Sequence, residues 1–449
     1  MSGTRTSACA YSRGPVVLAA ACGVTLAMLA ASVASQQATG TAAPSAASDG
    51  HVLTLRQAIR QALQRNPNRL RASHQVTAVG YERDAAEWAR YPTLSVDAAP
   101  RFASTQSANV ATPSTVVRLE QPLWAGGRID AQIDAARLLV SAAESAEAET
   151  RQRLTEQTAA AYIGWMGAAD RVRIAREGAE VFSTLLEYVR KRQAEGLASA
   201  ADVAIASARY GAARAQTSEL RGALERARAE LVSLTLNPAF SEGVAVGVPA
   251  YAGRGIEETR LAYLEQSPLV AQRRHESESA AAQVQVRKGL LQPRLALRLE
   301  HLSGQNAAFG ASSDSRAMLV LQYTPEPGLA SYSGFQAAGS RREAARAQQL
   351  ADENEVQLRA NTHWAEYTAA RLEAEDAEPQ VAALDVASAS FMRQFQAGRK
   401  SWLEVLNTQR ETLDATLALS RARTARDQAA LRMMVNTASV QPWLDGLPK

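Results

Sequence analysis

Five histidines, His51, His74, His275, His301 and His363, are the first residues to test for chemistry, and they are scattered through the 449-residue chain without the spacing of a metal-ligand set. That pattern predicts packing or solvated roles. Two glycine-containing stretches superficially suit phosphate. Gly126-Gly127-Arg128 is short, and Gly398-Arg399-Lys400-Ser401 echoes a phosphate-binding loop without its earlier glycine. Both fit better as turn chemistry. Nucleophile and base side chains nowhere fall into a recognisable pairing. The only cysteines, Cys9 and Cys22, lie in an N-terminal segment predicted to be removed, which leaves no disulfide, thiol nucleophile or sulfur-bound zinc. The expectation is a protein with no cofactor, no metal and no enzymatic activity, so that any ATP hydrolysis would belong to a partner. A net charge of +4, with both signs interspersed along helix faces, gives no argument for nucleic acid.

The glycine turns acquire a purpose from the helices around them. From Arg128 to Leu236 there is no proline. Ala161, Trp165, Ala168, Val172, Ala175, Ala179, Phe182, Leu186 and Val189 step by alternate fours and threes, the seven-residue rhythm of a coiled-coil seam. Val203, Ala206, Tyr210, Ala213, Thr217, Leu220, Leu224, Ala227, Leu231 and Leu234 resume it. Between the two runs, Gly196 suits a helix C-terminus and Ser199 or Asp202 suits the next N-cap. A helix from Arg128 to about Glu195 would be roughly 100 Å long at about 1.5 Å per residue. That is about three times a bilayer core, and the sequence is too charged for lipid. A long, water-exposed helical hairpin is predicted.

Residues 1–34 read as a secretory signal: Arg5 and Arg13, an apolar run from Pro15 to Leu29, and small residues at Ser32-Val33-Ala34. Cys22 is not expected to be lipidated, since Ala19 stands three residues before it. Residues 35–50 read as a flexible lead-in. Beyond them the chain is duplicated: Asn66-Pro67 matches Ser267-Pro268 and Tyr91-Pro92 matches Gln292-Pro293, both 201 residues on. Gln121-Pro122 matches Thr324-Pro325 at 203, and Ala194-Glu195-Gly196 matches Gln396-Ala397-Gly398 at 202. The first repeat is placed at 51–250 and the second at 251–437, with a C-terminal tail at 438–449. Each repeat should contain a short helix, a medium helix ended by proline, two strands, and a long hairpin, at about 128–236 and 332–437. Along the second seam Ala374, Ala377, Val381, Leu384, Ser388, Phe391 and Phe395 are interrupted by Pro379, which predicts a bend or restart.

Strands are expected at about 93–103, 114–122, 294–302 and 316–324. Leu295, Leu297 and Leu299 alternate with Ala296, Arg298 and Glu300, a period-two pattern with one apolar face. Such segments are long enough to cross a bilayer when tilted, and Tyr91, Trp124 and Tyr323 fall at their helix-side ends, where an aromatic girdle would lie. Four strands cannot close a barrel, and open edges are not tolerated in lipid. Two copies would give eight strands and three would give twelve, so strand counting alone requires an oligomer without fixing its size.

Leu53-Thr54-Leu55-Arg56-Gln57-Ala58 with Asn66-Pro67, the passage Gln121-Pro122-Leu123-Trp124-Ala125-Gly126-Gly127-Arg128, and Gly398-Arg399-Lys400-Ser401-Trp402-Leu403-Glu404-Val405-Leu406-Asn407 resemble the TolC-type outer-membrane channels. The resemblance runs from about Leu53 to Asn436. It implies a mainly α fold with a small transmembrane β part: a homotrimer with a twelve-stranded barrel in outer-membrane lipid, continued by a coiled-coil tunnel across the periplasm. It also implies a periplasmic adaptor and an inner-membrane transporter as partners. The stretch from Arg393 to Asn407 is similar to the branch that exports large adhesins by type I secretion, which implies an ABC-type transporter. Multidrug efflux is the alternative, and a periplasmic coiled-coil adaptor or structural protein a more distant one. One departure is Glu326-Pro327-Gly328-Leu329, where the first repeat has Gly-Gly-Arg.

By the same resemblance, the tips Gly196, Leu197, Ala198, Ser199, Gly398, Arg399 and Ser401 would dock the adaptor. Glu404 and Asn407 fall where two acidic rings line a periplasmic gate, so the second ring here would be amide. Asp202 and Lys400 fall where a charged link holds the second hairpin inward, with Phe395 in place of a tyrosine.

Overall fold

A computed structural model describes residues 51–105, 108–253, 255–306, 310–324 and 330–446. The expected signal, the lead-in, both cysteines and Glu326-Pro327-Gly328-Leu329 lie outside the described residues.

The first repeat opens with β1 (His51–Leu53), α1 (Leu55–Arg65) and α2 (Pro67–Trp88). Thr54 caps α1 in a reciprocal box with Gln57. Pro67 begins α2 at the first helical position, where a missing N–H costs nothing. β2 (Thr93–Thr105) and β3 (Ala108–Trp124) follow, then α3 (Arg128–Ala194), α4 (Ala200–Thr235) and β4 (Phe240–Gly243). The second repeat supplies α5 (Ile256–Gln266), α6 (Pro268–Gly289), β5 (Arg294–Asn306), β6 (Gly310–Gln322), α7 (Ala330–Gln396) and α8 (Trp402–Asn436). Among the described residues no helix is long and apolar enough to cross a membrane.

Four strands form one antiparallel sheet in the order β2-β3-β5-β6, so the junction β3–β5 joins the two repeats. The strands are longer than the sequence suggested. Residues between the expected strand bounds continue the backbone ladder, out to Thr105 opposite Ala108 and Asn306 opposite Gly310. Ladder pairing needs only N–H and C=O groups, so small polar side chains do not end it. Leu94 lies opposite Leu119, and Leu119 opposite Leu299, on one face; Arg118 lies opposite Glu300, and Glu300 opposite Arg316, on the other. The apolar face is exposed at Leu94, Val96, Leu319 and Leu321.

The α3 seam buries as its spacing predicts, and the α4 seam does so in part. Of the nine seam residues named in α3, all but Ala179 are buried, and in α4 Ala206, Ala213, Thr217 and Leu231 are. Thr217, the polar member, donates to the carbonyls of Ala213 and Ala175, which satisfies its hydroxyl inside the seam. α3 and α7 are each 67 residues long. Pro379 does not restart α7, which runs through it as one helix. The expected C-terminal tail contains a further helix, α9 (Val440–Gly446), with Val440 and Leu444 buried.

α9 joins a core of Leu55, Ala58, Tyr162, Trp165, Leu231, Phe240 and Leu431 midway along the hairpins. There β1 and β4 pair in parallel, and the Tyr162 hydroxyl reaches the carbonyls of Leu53 and Val244, both at 2.8 Å. A second core, with Tyr263, Val356, Tyr367 and Met433, serves the second repeat. A third occupies the hairpin ends, and there the predicted site lies.

Candidate functional site at the hairpin tips

The two turns are copies of one design. After α3, the Leu197 N–H donates to the Arg192 carbonyl at 2.8 Å and the Gly196 N–H to Gln193 at 2.9 Å. After α7, Arg399 donates to Gln394 and Gly398 to Phe395 at the same two distances. This crossed pair satisfies the last carbonyls of each helix and requires left-handed backbone, which Gly196 (φ 75°) and Gly398 (φ 73°) supply. A serine then caps each return helix: Ser199 with Asp202, and Ser401 with Glu404, each in a reciprocal box. The glycine-containing stretch at 398–401 is therefore a helix end, as expected.

Within one protomer the charges at the tips find local partners. Asp202 and Lys400 do not pair with each other. The Asp202 carboxylate accepts from the Ser199 N–H at 2.9 Å and its hydroxyl at 2.8 Å, which hold it below the usual aspartate range. Lys400 donates instead to Glu404 at 2.7 Å, one turn along α8, and its ammonium lies 4.2 Å from the Phe391 ring centre. The Lys400 ammonium, with the Ser401 N–H and hydroxyl, holds the Glu404 carboxyl at about 2. A carboxylate three residues after a serine N-cap is held in place by the cap.

Near the tips, Arg209 of α4 donates to Asn407 of α8 at 3.4 Å, a polar link between the two hairpins. Asn407, expected to line a constriction, thus braces two return helices. Nothing in the spacing of Arg209 signals this, because its partner is 198 residues away.

Phe395 is buried at the end of α7. Its ring meets Tyr188 edge-on at 5.8 Å and Trp402 at 5.2 Å, and the Arg192 guanidinium lies 5.2 Å over it. Trp402, one residue past the Ser401 cap, is itself buried, so the first residue of α8 pins the last turn of α7. Leu197 and Leu403 remain exposed, with Gly398, Arg399, Ser199 and Ser401, while Ala198 is half-buried. The tips therefore present apolar side chains at an end that is otherwise capped and charged.

Of the histidines, His363 lies against the Tyr263 hydroxyl at 3.1 Å in the second-repeat core, and burial lowers its pKa. His301 contacts Ser315 at 2.7 Å on the sheet. Among the described residues no three His, Cys, Asp or Glu side chains gather into a group that could hold a metal ion.

Comparison with known proteins agrees with this architecture. Residues 58–235 match the family described as outer membrane efflux protein. The cobalt-zinc-cadmium resistance protein CzcC of Cupriavidus metallidurans is 26% identical over 316 residues, covering 68% of this chain and 72% of that protein. The fold superimposes on the outer membrane protein VceC of Vibrio cholerae with a TM-score of 0.74 at 16% identity, over 85% of this chain and 95% of that one. The CmeC outer membrane channel of Campylobacter jejuni gives 0.70 at 14% identity, over 86% and 85% of the respective chains.

Proposed function

We propose that this chain belongs with the outer membrane efflux proteins it resembles, as an outer-membrane channel that extends into the periplasm and serves as the passive conduit of a three-part export system. The observation that carries the reading is the sheet: four strands with one apolar face and two open edges, attached to hairpins about 100 Å long by residue count. An open edge in lipid leaves unsatisfied backbone groups at several kcal/mol each. Three copies close the edges into a twelve-stranded barrel and set the hairpins side by side as a tunnel. The apolar face then meets lipid and the polar face lines the pore. Such a conduit performs no chemistry of its own, so the driving energy comes from an inner-membrane transporter through an adaptor seated on the exposed tips around Leu197 and Leu403.

In the trimer Glu404 is repeated three times around the axis. Each copy carries its own Lys400 counter-charge, so the constriction holds divalent cations more weakly than a ring of free carboxylates would. Closure instead rests on the aromatic cluster around Phe395 and on the Arg209–Asn407 brace.

For cargo, the stretch from Arg393 to Asn407 favours type I secretion of a large adhesin with an ABC-type transporter. The match to CzcC supports a second reading, export of divalent metal ions. Deleting the gene in its own host separates them. Loss of one large surface protein, with unchanged tolerance of cobalt, zinc and cadmium, supports the first. Metal sensitivity with an intact surface proteome supports the second. If both are unchanged, both cargo readings fail. A monomer by light scattering of the solubilised protein would remove the conduit itself.

A further inference from the structure

We propose that the two open sheet edges are matched by charge, so that β6 of one copy pairs with β2 of the next and Arg316 forms an ion pair with Asp97 of the neighbouring copy. This rests on the conduit reading above and specifies how its barrel closes.

A single row of ionised side chains crosses the polar face of the sheet from edge to edge. It starts at Asp97 on β2, 3.3 Å from Arg118 on β3. Arg118 also reaches Glu300 on β5 at 2.8 Å, and Glu300 reaches Arg316 on β6 at 2.8 Å. The signs alternate without a break. Each inner member has a partner on both flanking strands, whereas each end member has one.

The exposures show where the row is incomplete. The Glu300 side chain is 8% exposed, but Asp97 is 62% and Arg316 61% exposed. The two ends carry opposite charge and stand on opposite edges. A row of this kind repels its own mirror image and attracts its own translation, so it favours head-to-tail closure over edge-to-same-edge dimers. Strand direction agrees. Each neighbouring pair in β2-β3-β5-β6 is antiparallel, so a β2 strand beyond β6 continues the alternation.

A second charged pair on the same face, Glu120 with Arg298 at 2.7 Å, stops at β3 and β5 and leaves the edges alone. Among the described residues only the Asp97–Arg316 row reaches both edges. Closure of three copies turns it into an unbroken belt of alternating charge inside the barrel. Each junction can then equal the internal contacts, where desolvation makes a charge pair directional as well as attractive.

The test uses the full-length chain in outer membranes. Asp97→Cys with Arg316→Cys, treated with a short bis-maleimide, should give covalent trimers on denaturing gels, while either cysteine alone should give none. Light scattering of the same sample reports oligomeric state independently. Trimers that do not cross-link overturn the Asp97–Arg316 pairing and leave the conduit standing, whereas a monomer overturns both. Cross-links to a different protein also overturn the pairing. Should the cysteine pair fail to assemble, charge exchange decides: Asp97→Arg or Arg316→Asp alone should cut the fraction of trimer surviving detergent severalfold, and the two together should restore it. Two single variants as stable as the wild type, or a double variant no better than the singles, refutes the proposal.

Discussion

Replacing Phe395 by alanine should loosen the tips while leaving the rest of the protein in place. The side chain is 7% exposed and contacts the rings of Tyr188 and Trp402 and the guanidinium of Arg192. Truncating a buried phenylalanine costs about 3–5 kcal/mol. The two ring contacts, at about 0.5–1.5 kcal/mol each, and the cation–π contact, at about 0.5–1, are included in that range. The loss falls on the junction of α3, α7 and α8, far from the core around Tyr162. At about 1.4 kcal/mol per tenfold, the local opening constant should rise roughly 10²- to 4 × 10³-fold. Hydrogen exchange read by mass spectrometry should show that increase in peptides spanning 385–410 and no change in peptides from 425–435. In planar bilayers the variant should conduct more than the wild type. Wild-type exchange at the tip would refute the argument that this cluster holds the hairpin ends together.

Leu197→Asp places a charge on the exposed apolar tip and should abolish export while trimers persist by light scattering; export at the wild-type level would locate adaptor contacts elsewhere. Because the Glu404 carboxyl is held at about 2, against an ordinary value of 4.5, its ion pair contributes fully above pH 4.5 and is lost as pH falls through about 2. Divalent-cation block of the channel should therefore stay level from pH 7 to about 4.5 and weaken below it, and Glu404→Gln should remove the acid-dependent part. Tyr162→Phe deletes a buried hydroxyl bonded to the Leu53 and Val244 backbone and should cost about 1–3 kcal/mol. Faster exchange at residues 240–244, with trimers retained, is the expected readout.

How much of this was legible in the sequence depended on the range of the interaction. Seams and turns are local rules, so the burial of Trp165 and Val189, the left-handed Gly196 and Gly398, and the Ser199 and Ser401 caps could all be read from spacing. The strand pattern located the sheet but not its length, since side-chain alternation fades where backbone pairing continues. β1 and β4 were invisible. At 3 and 4 residues each they are too short for periodicity, and their pairing depends on Tyr162, 109 residues from Leu53. The site was the least legible part. The resemblance placed Asp202 and Lys400 at a charged link, and within one protomer their partners are Ser199 and Glu404, three and four residues away. Arg209 had no local signal at all.

The order of the strands also sets a timetable for biogenesis. β2 and β3 are neighbours in sequence and can pair as soon as both emerge, yet β3 must also pair with β5, and Arg118 finds Glu300 only across 182 residues. The loop to be closed contains the whole first hairpin, and closing it costs entropy that only later contacts return. The first repeat must therefore wait, half of its sheet made and β3 unsatisfied, until the second has been synthesised and delivered. Insertion of the complete sheet therefore has to follow synthesis of both repeats, and anything that guards the nascent protein in transit has an unpaired β3 to shield.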